Sequence, residues 1–144
     1  MLTVREIMTP SPICVHPETL LKEVIGEMKQ KGCRQLPVVD EAGDLVGIIT
    51  DRDVRLVLNS PLTLRDRKDD IHLLNTVTAL ACMTPDPKTV EPDTPAIHAA
   101  EILLLHKFGA LPVVEGNRVV GIITVSDILK SYIDLLKQAE HAGA

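Results

Sequence analysis

Aromatic side chains are all but missing from this chain: Phe108 and Tyr132 are the whole set, and there is no tryptophan. The stacking platforms that hold single-stranded nucleic acid are therefore absent, and any core has to be filled by Val, Ile, Leu, Met and Ala. A basic excess is missing too. The formal net charge is −5, with a pI near 5.5, whereas a general DNA or RNA binder carries a basic stripe. Long apolar runs are absent, stretches such as Ile102 to Leu105 being far short of the ~18 residues of a membrane span. The first residues, Met1-Leu2-Thr3-Val4-Arg5-Glu6, lack the apolar stretch of a signal peptide. A cytoplasmic protein with no membrane or nucleic-acid partner is expected. The three cysteines, Cys14, Cys33 and Cys82, are odd in number and never form Cys-x-x-Cys, which predicts reduced, buried thiols. His16, His72, His98, His106 and His141 include no pair at metal-ligand spacing. No Gly-rich phosphate loop and no nucleophile with a plausible base stand out, so neither a metal nor an enzymatic activity is expected.

What is present is repetition. The 144 residues are 45% hydrophobic and 24% charged, which suits one compact domain or two small interdependent halves. Gly-Ile-Ile-Thr-Asp-Arg-Asp at Gly47–Asp53 returns as Gly-Ile-Ile-Thr-Val-Ser-Asp at Gly121–Asp127. Met8-Thr9-Pro10 returns as Met83-Thr84-Pro85, and Leu36-Pro37-Val38-Val39-Asp40 as Leu111-Pro112-Val113-Val114-Glu115. A single deletion in the hairpin loop accounts for the one-residue difference in displacement between these motifs.

The same elements are predicted in each half. A short extended piece, Pro12–Val15 or Pro87–Val90, is followed by a helix beginning at Glu18-Thr19 or Asp93-Thr94. Its core face is Leu21, Val24, Ile25 and Met28, or Ala96, Ala99, Ala100 and Leu103, at i, i+3, i+4, i+7. The small residues of the second set invite close approach by another backbone. Gly32 and Gly109 suit left-handed helix caps. Two strands follow, Leu36–Val39 with Leu45–Ile49 and Leu111–Val114 with Val119–Ile123, and a second helix starts after Thr50 or Thr124. The expected architecture is α/β (α+β), two pseudo-symmetric β-α-β-β-α motifs packed into one module, since about 60 residues bury too little surface to stand alone. The expected boundaries are 1–60 and 83–135 for the motifs, 61–82 for a helical insert and 136–144 for the end of the last helix and the tail. Within the insert, Asn59-Ser60-Pro61 should break a helix, Arg65–Asp70 should form a solvated charged surface, and Ile71, Leu74, Val77 and Ala81 should line a helix leading into the second Met-Thr-Pro. The last helix, Ile128 to about Glu140, should expose Ile128, Leu129, Tyr132, Ile133 and Leu136.

Thr50 and Asp53, like Thr124 and Asp127, fall where a strand meets a helix N-terminus. Two readings are open. Thr-x-x-Asp is close to a capping box, in which the two side chains satisfy each other's backbone amides. The same corner, with unpaired N–H groups and a positive dipole end, can hold a small polar or anionic ligand.

The order Met-Thr-Pro, helix, Leu-Pro-Val-Val, Gly-Ile-Ile-Thr-x-x-Asp, present twice from about Val4 to Tyr132, resembles a tandem pair of CBS domains, a Bateman module. The resemblance implies binding of an adenosine-containing ligand, AMP, ADP, ATP or S-adenosylmethionine, in clefts between the motifs. It also implies assembly as a homodimer and regulation of a partner protein, no further domain being expected in this chain. Carried over, it gives Asp53 and Asp127 to ribose hydroxyls and Thr50 and Thr124 to ribose or phosphate. Ser11, Pro12 and Ile13, with Asp86, Pro87 and Lys88, would offer backbone groups and apolar contact to adenine. Arg34, Gln35, Leu36 and Pro37, with Gly109, Ala110, Leu111 and Pro112, would lie near the ligand. Arg52 and Ser126 complete the set. Arg34, Arg52 and Arg55 correspond to Gly109, Ser126 and Leu129, so cations for phosphate are concentrated in the first half. A structural dimerisation module with empty clefts is the alternative.

Overall fold

The structure, a computed structural model, describes residues 1–58 and 67–143. In chain order its elements are α1 (Val4–Ile7), β1 (Thr9–Pro10), α2 (Leu21–Lys31), β2 (Gln35–Val39), β3 (Leu45–Thr50), α3 (Asp51–Leu58), α4 (Arg67–Thr76), α5 (Ala79–Cys82), β4 (Thr84–Pro85), α6 (Ala96–His106), β5 (Ala110–Glu115), β6 (Arg118–Thr124) and α7 (Val125–Ala142). Two antiparallel three-stranded sheets result, ordered β2-β3-β4 and β1-β6-β5. The expected mixture of helix and sheet, with a hairpin in each repeat, is what forms.

The chain divides into two compact units, Pro12–Pro87 and Met1–Ser11 with Lys88–Ala144. In the first, Leu36↔Ile49 and Pro37↔Ile48 pair across the hairpin, with an irregularity between Val38 and Val39. Its core gathers Leu21, Val24 and Met28 from α2 with Leu36, Val38, Ile49 and Val54. Each fully buried aliphatic side chain contributes about 1.5–3 kcal/mol relative to exposure. The second unit repeats the register, Leu111↔Ile123 and Pro112↔Ile122, with the irregularity between Val113 and Val114. There Ala99 and Leu103 of α6 pack with Leu111, Val113, Ile123 and Val4. The close approach invited by the alanines is made by the N-terminal segment: Val4 is 0% exposed, its N–H reaches the Thr94 carbonyl at 2.8 Å, and the Ala96 N–H reaches that of Leu2 at 2.9 Å.

The third strand of each sheet departs from the repeat-by-repeat reading. Thr9–Pro10 pairs with β6, Thr9↔Ile122, and Thr84–Pro85 pairs with β3, Thr84↔Ile48. Each Met-Thr-Pro therefore completes the sheet of the other repeat. The pieces expected as first strands make only isolated parallel bridges, Val15↔Val38 and Val90↔Val113.

Other expectations shift by a few residues. Thr19 and Thr94 accept bonds from the amides of His16 and Glu91, at 3.0 and 3.1 Å, within turns, so α2 and α6 start two residues later than expected. Gly32 occupies the left-handed cap at φ 65°, but α6 is capped by Lys107 at φ 57°, not by Gly109. The helix expected to run through Val77 is interrupted. The Val77 carbonyl is taken by the Leu21 N–H at 2.9 Å, and the Ala79 N–H is given to Thr19 at 2.8 Å, so α4 ends and α5 begins after Thr78. The three cysteines are half-buried rather than buried. The break expected at Asn59-Ser60-Pro61, and Arg65 and Asp66 of the expected charge run, lie outside the described residues.

Candidate functional site

Both Thr–Asp corners are built, to the same dimensions. The Thr50 N–H donates to Asp53 Oδ2 at 2.9 Å and the Asp53 N–H to Thr50 Oγ1 at 3.1 Å. Thr124 and Asp127 make the same two bonds at 2.9 and 3.1 Å. The cap is thus real in both copies, and it engages only Oδ2 of each carboxylate. Oδ1 of Asp127 receives a long bond from the Thr9 hydroxyl, 3.4 Å away. Among the described residues, Thr84 makes no equivalent bond to Asp53. All four capping side chains are half-buried.

The neighbouring backbone is fixed by the same helix starts. The Asp51 N–H donates to the Arg34 carbonyl at 2.9 Å, and the Val125 N–H to that of Gly109 at 3.1 Å. Gln35↔Thr50 and Ala110↔Thr124 are register partners. Arg34, Gln35, Thr50, Arg52 and Asp53 therefore gather at one corner, and Gly109, Ala110, Thr124, Ser126 and Asp127 at the other. Arg34 and Arg52 are exposed. Arg55 is drawn along α3 to Asp51, 3.4 Å away.

Other candidates are placed differently. Leu36 and Leu111 are 1% exposed and belong to the two cores, and Pro37 and Pro112 are fully buried. What this quartet can present is backbone, and the Pro37 and Pro112 carbonyls already accept from Val15 and Val90 at 3.0 and 3.1 Å. Ile13 is half-buried against the core of its own unit, beside a half-buried Pro12. Ser11 and Asp86 are exposed and adopt φ 46° and 45°. Their N–H groups reach Val120 and Val46 at 3.1 and 3.3 Å. Pro87 is half-buried and Lys88 exposed.

The sequence reading missed Thr9, whose hydroxyl faces Asp127. Its signal in the sequence is the recurrence of Met-Thr-Pro. From this contact a groove of about 560 Å³ runs along α7 past Glu6, Lys130 and Asp134, within the ~300–1,000 Å³ range of small-molecule sites.

Burial raises the thiol pKa of all three cysteines. At Cys33 a backbone hydrogen bond opposes the shift and the charge of Glu27 adds to it. At Cys82 the second cause is the negative charge of Asp53. Among the described residues no group of three or more His, Cys, Asp or Glu side chains could hold a metal ion, and no helix is long and apolar enough to cross a membrane.

Comparison with known proteins meets this geometry. A CBS domain-containing protein of Dictyostelium discoideum is 33% identical over 135 residues, which is 93% of each chain. The crystal structure of CBSX2 in complex with AMP matches with a TM-score of 0.80 at 28% identity, covering 94% of this chain and 99% of that one. The CBS domain pair of protein MJ0100, in complex with 5′-methylthioadenosine and S-adenosyl-L-methionine, matches with a TM-score of 0.78 at 30% identity, covering 92% and 96%. The family model of the CBS domain matches twice, over residues 4–60 and 77–134. With both repeats accounted for in this way, the chain belongs to the CBS-domain family and carries the domain in tandem.

Proposed function

We propose that this chain is a regulatory module that binds an adenine nucleotide, AMP, ADP or ATP, and acts on a partner protein rather than catalysing a reaction. The observation that carries the reading is the doubled Thr–Asp corner, in which capping uses one carboxylate oxygen and leaves Oδ1 able to accept from a ribose hydroxyl. A charge-assisted bond of this kind is short and strong, and the helix N-terminus adds a positive end for phosphate. The AMP bound to CBSX2 supports the ligand class. Asp53 and Asp127 hold ribose, Thr50 and Thr124 assist, and the exposed Arg34 and Arg52 make the first corner the one for more highly phosphorylated ligands. Ser126 and Gly109 offer no cation at the second.

Two further readings have support of their own. The S-adenosylmethionine of the MJ0100 pair favours that ligand, and the apolar face of α7 favours a homodimerisation module. A cytoplasmic homodimer regulating another protein is the setting we infer, with functional boundaries at 1–60 and 83–135. Calorimetric titration with AMP, ADP, ATP and S-adenosylmethionine tests the function, together with identification of any small molecule released when protein purified from cells is denatured. Micromolar binding of an adenosine ligand is expected. Silence toward all four, with nothing released, overturns the reading.

A further inference from the structure

The two-residue strands β1 and β4 carry few backbone bonds of their own, because Pro10 and Pro85 have no N–H to donate. They are held from their ends instead. In each sheet the methionine just ahead of the strand lies over a glycine of the central strand. A Cβ added to Gly121 would collide with Met8 Sδ and stand 3.2 Å from its Cε. One added to Gly47 would stand 2.5 Å from Met83 Sδ and 3.0 Å from its Cγ. The carbonyls of Thr9 and Thr84 close over the same glycines, 3.1 and 3.0 Å from those added atoms. At the far end, Ser11 and Asp86 turn into the left-handed region and donate their N–H groups to the neighbouring strand. Neither is glycine, so each bend is held against a conformational cost.

Between the two grips sits the threonine. In the unit of Lys88–Ala144 its hydroxyl is the one that reaches Asp127. Because side chains alternate along a strand, a one-residue slip would turn Thr9 away from that carboxylate. Any residue larger than glycine at position 121 or 47 would displace the methionine side chain and press on the carbonyl of the threonine that follows it.

We propose that Met8, seated on Gly121, is a positioning residue for the ligand. It fixes the register of β1 and so sets Thr9 beside Asp127, and affinity at the Thr124–Asp127 corner depends on a methionine from the other repeat; Met83 seats β4 on Gly47 in the same way. The proposal rests on the adenosine-binding reading and adds to it a residue remote in sequence from the corner it serves.

The test is titration with AMP well below the melting temperature, in an Asp53→Ala background so that only the Thr124–Asp127 corner is read. Gly121→Ala and Met8→Ala should each weaken binding by about tenfold, equivalent to ~1.4 kcal/mol, while Met8→Leu, which refills the seat, stays near the parent. Loss of stability alone does not move the affinity of a protein that remains folded at the temperature of measurement. Should Gly121→Ala fail to fold, Met8→Ala inserts nothing and carries the test. The proposal is overturned if the parent binds, Asp127→Ala abolishes binding, and both Gly121→Ala and Met8→Ala bind as the parent does. Silence of the otherwise unmodified protein toward AMP, ADP, ATP and S-adenosylmethionine overturns the ligand reading itself and the positioning role with it. The two failures are told apart by whether Asp127→Ala has any binding left to remove.

Discussion

The hydroxyl of Thr9 lies 3.4 Å from Oδ1 of Asp127, across a separation of 118 residues in the chain. Asp127 is thereby shared between the cap of α7 and a strand that comes from the other repeat. At 3.4 Å the bond is long for an O–H donor, so the cap dominates the energetics at this corner, and Oδ1 keeps a lone pair for a ligand hydroxyl beside that of Thr9.

From this sharing, Asp53→Ala and Asp127→Ala should each lower the stability of the ligand-free protein by about 1 kcal/mol, the scale of a lost N-cap. Ligand affinity at the altered corner should fall more, by roughly 1.5–3 kcal/mol or ~10–150-fold, because a charge-assisted bond is removed. Chemical denaturation and calorimetry on the same samples check the two numbers. Equal losses in stability with unchanged affinity would leave a cap and nothing more.

Lys107 occupies a left-handed helix cap at φ 57° where the first repeat has Gly32 at φ 65°. Lys107→Gly should raise the unfolding free energy by up to about 1 kcal/mol, since glycine carries no Cβ penalty there. Gly32→Ala should lower it by a similar amount. Urea midpoints measured at constant slope decide.

Six apolar side chains of α7, Val125, Leu129, Tyr132, Ile133, Leu135 and Leu136, remain between 43% and 57% exposed, and none of its eighteen residues is buried. A second copy of the chain is the expected cover, because closed two-fold assembly is the commonest oligomer. Light scattering should give twice the 15.7 kDa of the chain at micromolar concentration, and Leu129→Lys with Leu136→Lys should return it to monomer with unchanged helical content. A wild-type monomer would refute the expectation.

Cys82 has its thiol pKa raised by burial first and by the charge of Asp53 second. A raised folded-state pKa means that the folded protein holds this proton more tightly than the unfolded chain does. The associated stability is therefore fully present below the free-thiol pKa, about 8.5, and is lost as pH rises through the folded value. Alkylation of Cys82 in the native protein should reach half its maximal rate at higher pH than in the denatured chain, and Asp53→Asn should move that midpoint down. Mass spectrometry of the peptide carrying Cys82 follows both.

Much of the molecule was written locally. The i, i+3, i+4, i+7 spacing of Leu21, Val24, Ile25 and Met28 and the alternation around Leu36-Pro37-Val38 fix helix and hairpin through neighbours a few residues apart. The Thr–Asp boxes close over three residues, so their repetition in the sequence became repetition in space. The destination of Met-Thr-Pro was not written this way. Both copies offer the same three residues, both hairpins offer the same glycine-bearing strand, and a short motif carries no information about which of two like edges it will join. That choice was made by non-local contacts: burial of Val4 among Ala99, Leu103 and Ile123, and backbone bonds from Val4 and Arg5 to Thr94 and Pro92. These hold residues 1–11 against the second hairpin, and only then does Thr9 meet Asp127. The burial of Leu36 and Leu111 was decided in the same way, because alternation assigns two faces to a strand and only the packed core decides which one a ligand can reach.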